Sequence, residues 1–111
     1  MSLGEFIQMM TTIDSKEGAQ KLAKSLVEKR LAACTQVIGP IMSTYWWQGK
    51  IETAEEWLCL MKTRQEIYAE VEAHIRAHHS YDEPEILAIP VVAGSRGYLD
   101  WITSETEKNK Q

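Results

Sequence analysis

His74 and His78 stand four residues apart, the spacing that puts two imidazoles on one face of a helix. Neutral imidazole suits copper, zinc or nickel, and a carboxylate completes many such sites. Glu85 follows after a short loop, close enough in sequence to approach His78, with His79 beside them. A second group is aromatic: Tyr45, Trp46 and Trp47 lead into a glycine, and Tyr81, Tyr98 and Trp101 come from later segments. Such rings either line a pocket between subunits or pack a subunit interface, and general enrichments favour the interface. In a pocket, Glu52, Lys62 and Glu85 would be the polar groups.

Each of these residues also has a plainer role. A histidine at the edge of an apolar stripe packs with one nitrogen satisfied, and His79 reads as solvated. Glu85 can cap backbone amides or meet a cation across a subunit boundary. Met9, Met10, Met42 and Met61 read as core filler, since methionine suits irregular gaps. Catalysis finds no support in the motifs: there is no glycine-rich phosphate loop, nucleophile elbow or HExxH pattern. Cys34 has no evident base beside it, and Glu52, Glu55 and Glu56 read as a solvated acidic face. No catalytic residue is assigned, and the expectation is a protein that is not an enzyme.

The elements that must hold these groups follow from periodicity. Glu5 to Thr12 is a short, mostly apolar run that reads as a buried strand. Asp14 or Ser15 caps a helix over about Ser15 to Leu31, whose stripe is Ala19, Leu22, Ala23, Leu26 and Val27. Two long arms then meet at Gln48-Gly49, where a glycine supplies the positive φ that a two-residue hairpin turn needs. With Trp47 and Lys50 closing that turn, Tyr45 faces Glu52 and Ser43 faces Ala54. Each arm holds roughly a dozen residues against an ordinary strand of about 5–6. Gly39-Pro40 interrupts the first arm with a bulge or kink, since proline cannot donate to a ladder. A second helix spans Gln65 to His79, a strand runs from Glu85 to near Pro90, and a short helix carries Tyr98, Leu99, Trp101 and Ile102. Met1 to Gly4 reads as an unstructured lead-in, and the charged tail from Glu105 as frayed.

This order predicts an α+β fold: a ferredoxin-like βαββαβ sandwich with a long hairpin and a short C-terminal helix, in one domain over residues 1–111. Right-handed crossovers place the first and last strands inside the sheet and leave the hairpin arms at its edges. Edges that long invite pairing with other chains, and a closed ring satisfies them without a growing filament. The 111 residues carry a formal charge of −4 with no basic stripe, which argues against nucleic acid. No segment approaches a membrane span, and Cys34 and Cys59 read as free, buried thiols of a reducing compartment. A cytoplasmic location is expected.

Several separate motifs, in order along nearly the whole chain, carry a family resemblance. They are Leu31-Ala32-Ala33-Cys34; Gly39-Pro40 with Ser43-x-Tyr45-Trp46-x-x-Gly49-Lys50-Ile51-Glu52; Lys62-Thr63; His79-x-Tyr81-x-x-Pro84-Glu85-Ile86; Pro90-Val91; and Tyr98-Leu99-x-Trp101-Ile102. Together they resemble the CutA family of divalent-cation tolerance proteins. The resemblance implies a homotrimer knitted by its hairpins, an architecture shared with the PII signalling proteins, and a link to copper and other divalent metals. No cofactor is required by it. It also implies a copper site built from the histidine ending the second helix, the glutamate of the Pro-Glu motif and a first-strand cysteine. Those positions are His78, Glu85 and, in place of the cysteine, Met10. A thioether binds more softly than a thiolate and favours the reduced ion, so weak copper binding is expected. The second reading is a PII-like signalling or scaffold trimer that takes a small anionic metabolite in an intersubunit cleft. The cleft candidates are Tyr45, Trp46, Glu52, Lys62, Tyr81 and Trp101.

Overall fold

A computed structural model describes residues 5–107. The lead-in at 1–4 and the end of the tail at 108–111 lie outside the described residues. The elements are β1 (Phe6–Ile13), α1 (Lys16–Glu28), β2 (Cys34–Trp47), β3 (Lys50–Arg64), α2 (Tyr68–His78), β4 (Leu87–Pro90) and α3 (Arg96–Glu105), with a 3-10 turn at Gln65–Ile67 leading into α2. The four strands form one antiparallel sheet in the order β2-β3-β1-β4. This is the predicted α+β arrangement, with one correction: β4 lies at an edge and β3 lies inside. The two βαβ units interleave, so each crossover helix spans one strand of the other unit. That places β1 between β3 and β4, and β3 between β2 and β1.

Local chemistry sets the element ends. Ser15 caps α1, its Oγ accepting from the Gly18 amide at 2.9 Å. The helix ends where Arg30 turns left-handed at φ 61°, and the amides of Leu31 and Ala32 then bond back to the Leu26 carbonyl. The hairpin turn is closed by Trp47 and Lys50, with Gln48 and Gly49 both at positive φ. Tyr45 pairs with Glu52 and Ser43 with Ala54, the expected register. At Gly39-Pro40, joined by a cis peptide, β2 bulges and the pairing shifts between Ile38 and Ile41. Trp57 packs onto this bulge: a Cβ at position 39 would lie 2.5 Å from its ring.

Alternation divides the sheet into two faces. Ile7, Met9 and Met61 point to the side covered by α1 and α2, where they join Leu22, Leu26, Val71 and Ile75 in the main core. The other side is covered at one end only, where Leu99 and Ile102 of α3 pack on Phe6 and Ala33. Arg64 fastens that helix by donating to Thr106 Oγ1 (2.7 Å) and the Thr106 carbonyl (2.9 Å), and Arg30 pairs with Glu105 at 2.7 Å. The start of the tail, expected to fray from Glu105, is therefore pinned through Thr106.

Beyond α3 this second face is open. Met10, Leu58 and Leu60 are half-buried on it, and Ile38, Leu87 and Ile89 are exposed. The distal hairpin runs past both helices, within overall dimensions of 44 × 28 × 22 Å. On its helix side it exposes Trp46 (73%), Met42 (67%) and Ile51 (62%).

Candidate functional site

The predicted residues fall into separate groups. His74 and His78 do share a face of α2, their rings stacked with centroids 4.2 Å apart. The Nδ1–H of His78 donates to the His74 carbonyl at 2.8 Å, which fixes the tautomer and leaves Nε2 as a free lone pair on an exposed side chain. His74 is half-buried against α1, its Nε2 hydrogen-bonded to Ser25 Oγ. Burial, helped by His78 and Lys29, holds the His74 imidazole below its ordinary pKa.

His79, read as solvated, is instead committed at both nitrogens. Its Nδ1 accepts from the Tyr81 amide at 3.0 Å, and its Nε2–H donates to the Thr12 carbonyl at 2.8 Å. It is a structural clamp holding the loop after α2 onto β1, and it has no lone pair left for a metal.

That clamp positions a second cluster. The Tyr81 hydroxyl donates to Glu56 Oε2 at 2.7 Å, and Glu56 is a buried carboxylate, 7% exposed. Burial and then the Glu56 charge raise the pKa of the phenol. Glu85 lies near the same carboxylate; partial burial and then Glu56 push its own carboxyl above the ordinary range. Glu56 is the functional candidate that sequence reasoning missed, having been grouped with Glu52 and Glu55 as a solvated face. The available signal was parity: Glu56 alternates with Leu58 and Leu60, so it shares their side of β3.

Met10 sits on that open side too, paired with Leu60 and Leu87. Thus His78 makes its polar and ring contacts with His74, while Glu85 is placed with Glu56. Among the described residues, no three His, Cys, Asp or Glu side chains converge in a metal-holding group.

The cleft candidates also separate. Tyr45 and Glu52 face each other near the hairpin tip, with Trp46 beside them on the opposite side, and Tyr81 lies toward that end. Lys62 pairs with Cys34 far down the sheet, its Nζ donating to Gln36 Oε1, and Trp101 lies against Tyr98 on α3 with the rings tilted by 32° and their centroids 5.5 Å apart. Glu52 and Lys62 are about 33 Å apart along one strand at ~3.3 Å per residue. The thiols are free: Cys34 is half-buried, while Cys59 is fully buried with its pKa pushed up to about 11.

Comparison with known proteins agrees with this architecture. The "Divalent-cation tolerance protein CutA" of Archaeoglobus fulgidus is 48% identical over 96 residues, covering 86% of this chain and 93% of that protein. "Protein CutA 1, chloroplastic" of Oryza sativa subsp. japonica is 37% identical over 103 residues, covering 93% of this chain. The chain spans 58% of the length of that rice protein. Among solved structures, the "Periplasmic divalent cation tolerance protein CutA" of Archaeoglobus fulgidus superposes with a TM-score of 0.89 at 45% identity, over 92% of this chain and 99% of that one. These names put relatives in different compartments. The profile of the CutA1 divalent ion tolerance protein matches residues 7–105, from the second residue of β1 to the last of α3, and the chain belongs to that family.

Proposed function

We propose that this chain acts as a non-enzymatic homotrimer in tolerance of divalent cations, copper among them, and that His78 is its principal metal-binding side chain. The carrying observation is the state of that imidazole: one nitrogen is anchored on a backbone carbonyl and the other is an exposed lone pair. Anchoring the far nitrogen is how proteins commonly orient a metal-binding histidine. Binding is weak, because few donors lie near it within one protomer and Met10 stands where the family resemblance asks for a thiolate. The free thiols of Cys34 and Cys59 support a reducing, cytoplasmic setting. Isothermal titration of Cu(II) against wild type and His78→Ala tests the assignment. The variant should lose most of the heat of binding, and equal affinity in the two proteins would remove His78 from the site.

The PII-like reading is favoured by one observation, the separation of the cleft candidates other than Trp46 into two ends of one face. In a ring, the hairpin end of one protomer with Tyr45 and Tyr81 can approach the Lys62 and Trp101 end of the next. Lys62 would then meet the anionic group of a small metabolite.

A further inference from the structure

The two histidines of α2 form a more complete metal-binding unit than His78 alone. Their i, i+4 spacing and the 4.2 Å ring separation keep one uncommitted nitrogen of each ring within a side-chain rotation of the other. The far side of each ring is held by an oxygen. His78 Nδ1–H donates to the His74 carbonyl, and His74 Nε2 bonds the hydroxyl of Ser25 on the neighbouring helix. A hydroxyl accepts as readily as it donates, so a cation on His74 Nδ1 leaves Nε2–H donating to Ser25. This is the outer-shell arrangement of metal-binding histidines: the ring's second nitrogen tied to an oxygen, the tautomer fixed, the lone pair outward. His79 provides the internal contrast, since both of its nitrogens are consumed by backbone partners.

We propose that His74 and His78 chelate a single borderline transition-metal cation, of the copper(II), nickel(II) or zinc(II) class, on the surface of α2, with Ser25 orienting the first ring and water completing the shell. Nitrogen donors select this class over magnesium and calcium, which prefer oxygen. The inference rests on the metal-tolerance reading and specifies the second ligand for it. It assigns Glu85 to the separate cluster with Glu56 and Tyr81.

The test is Cu(II) titration of the full chain by calorimetry, with electron paramagnetic resonance to count coordinated nitrogens. His74→Gln keeps a polar group toward Ser25 while removing the imidazole; Glu85→Gln is the contrasting variant. Wild type should show two imidazole nitrogens. His74→Gln should weaken binding at least as much as loss of an outer-shell partner does, about 10–100-fold, and leave one nitrogen. Glu85→Gln should match wild type. Wild-type affinity in His74→Gln, or loss of binding in Glu85→Gln, would overturn the chelate while leaving the metal-tolerance reading standing. No copper binding by wild type would defeat both.

Discussion

At the scale of single residues, the helix-covered side of the sheet contains one conspicuous mismatch. Thr11 is fully buried, and its Oγ1 is the buried side-chain oxygen without a hydrogen-bond partner among the described residues. An unsatisfied buried hydroxyl costs about 1–3 kcal/mol, and valine has nearly the same shape without it. Thr11→Val should therefore raise stability by roughly 1 kcal/mol. Urea unfolding at matched protein concentration checks this, and a lower midpoint would mean that the hydroxyl has a partner in solution. Residue chemistry was also the least legible level. The spacing of His74 and His78 was plain in the sequence, but Ser25 lies 49 positions away and no local pattern announces that bond. His79 looked solvated because its two partners are backbone groups, which leave no mark on side-chain pattern. Glu56 looked like one of three surface acids until the strand register placed it under Tyr81.

At the scale of elements, legibility was high wherever a local rule decided the outcome. The turn residues fixed the hairpin register, Ser15 supplied the cap, and proline announced the bulge. The sheet order was less accessible, because it depends on how two crossovers interleave and no local signal separates an interior β3 from an edge β3. The bulge is where element geometry can be tested most directly. Gly39 faces the Trp57 ring, so a methyl group there forces the ring or the strand to move. Gly39→Ala should destabilise the protein by about 1–3 kcal/mol, the usual cost of overpacking. A thermal midpoint equal to wild type, with the same Trp fluorescence, would show that the contact yields freely.

At the scale of the whole molecule, one protomer leaves too much apolar surface uncovered. The open side of the sheet presents Ile38, Leu87 and Ile89, and the distal hairpin presents Met42, Trp46 and Ile51. Contiguous patches of this kind mark association surfaces. Light scattering should give a mass near three times the 12.7 kDa subunit. Ile89→Glu, which places a charge at the rim of the open face, should shift the population toward smaller species. A wild-type protein that runs as a monomer at micromolar concentration would contradict the trimer. A variant that keeps the full mass would instead move the interface away from β4.

The bulge has one further consequence, concerning which aromatic ring looks which way. Between Ile38 and Ile41 the first arm advances three residues while its partner advances two, from Leu58 to Glu56. That extra residue changes the parity of everything beyond it. Tyr45 and Trp47 therefore continue the side begun by Ile38, while Met42 and Trp46 go to the other. A chain of the same length that paired through this point without the bulge would exchange the two sets and keep the same composition. The identity of the distal surface is thus written as a count, one residue long, rather than in the aromatic side chains themselves.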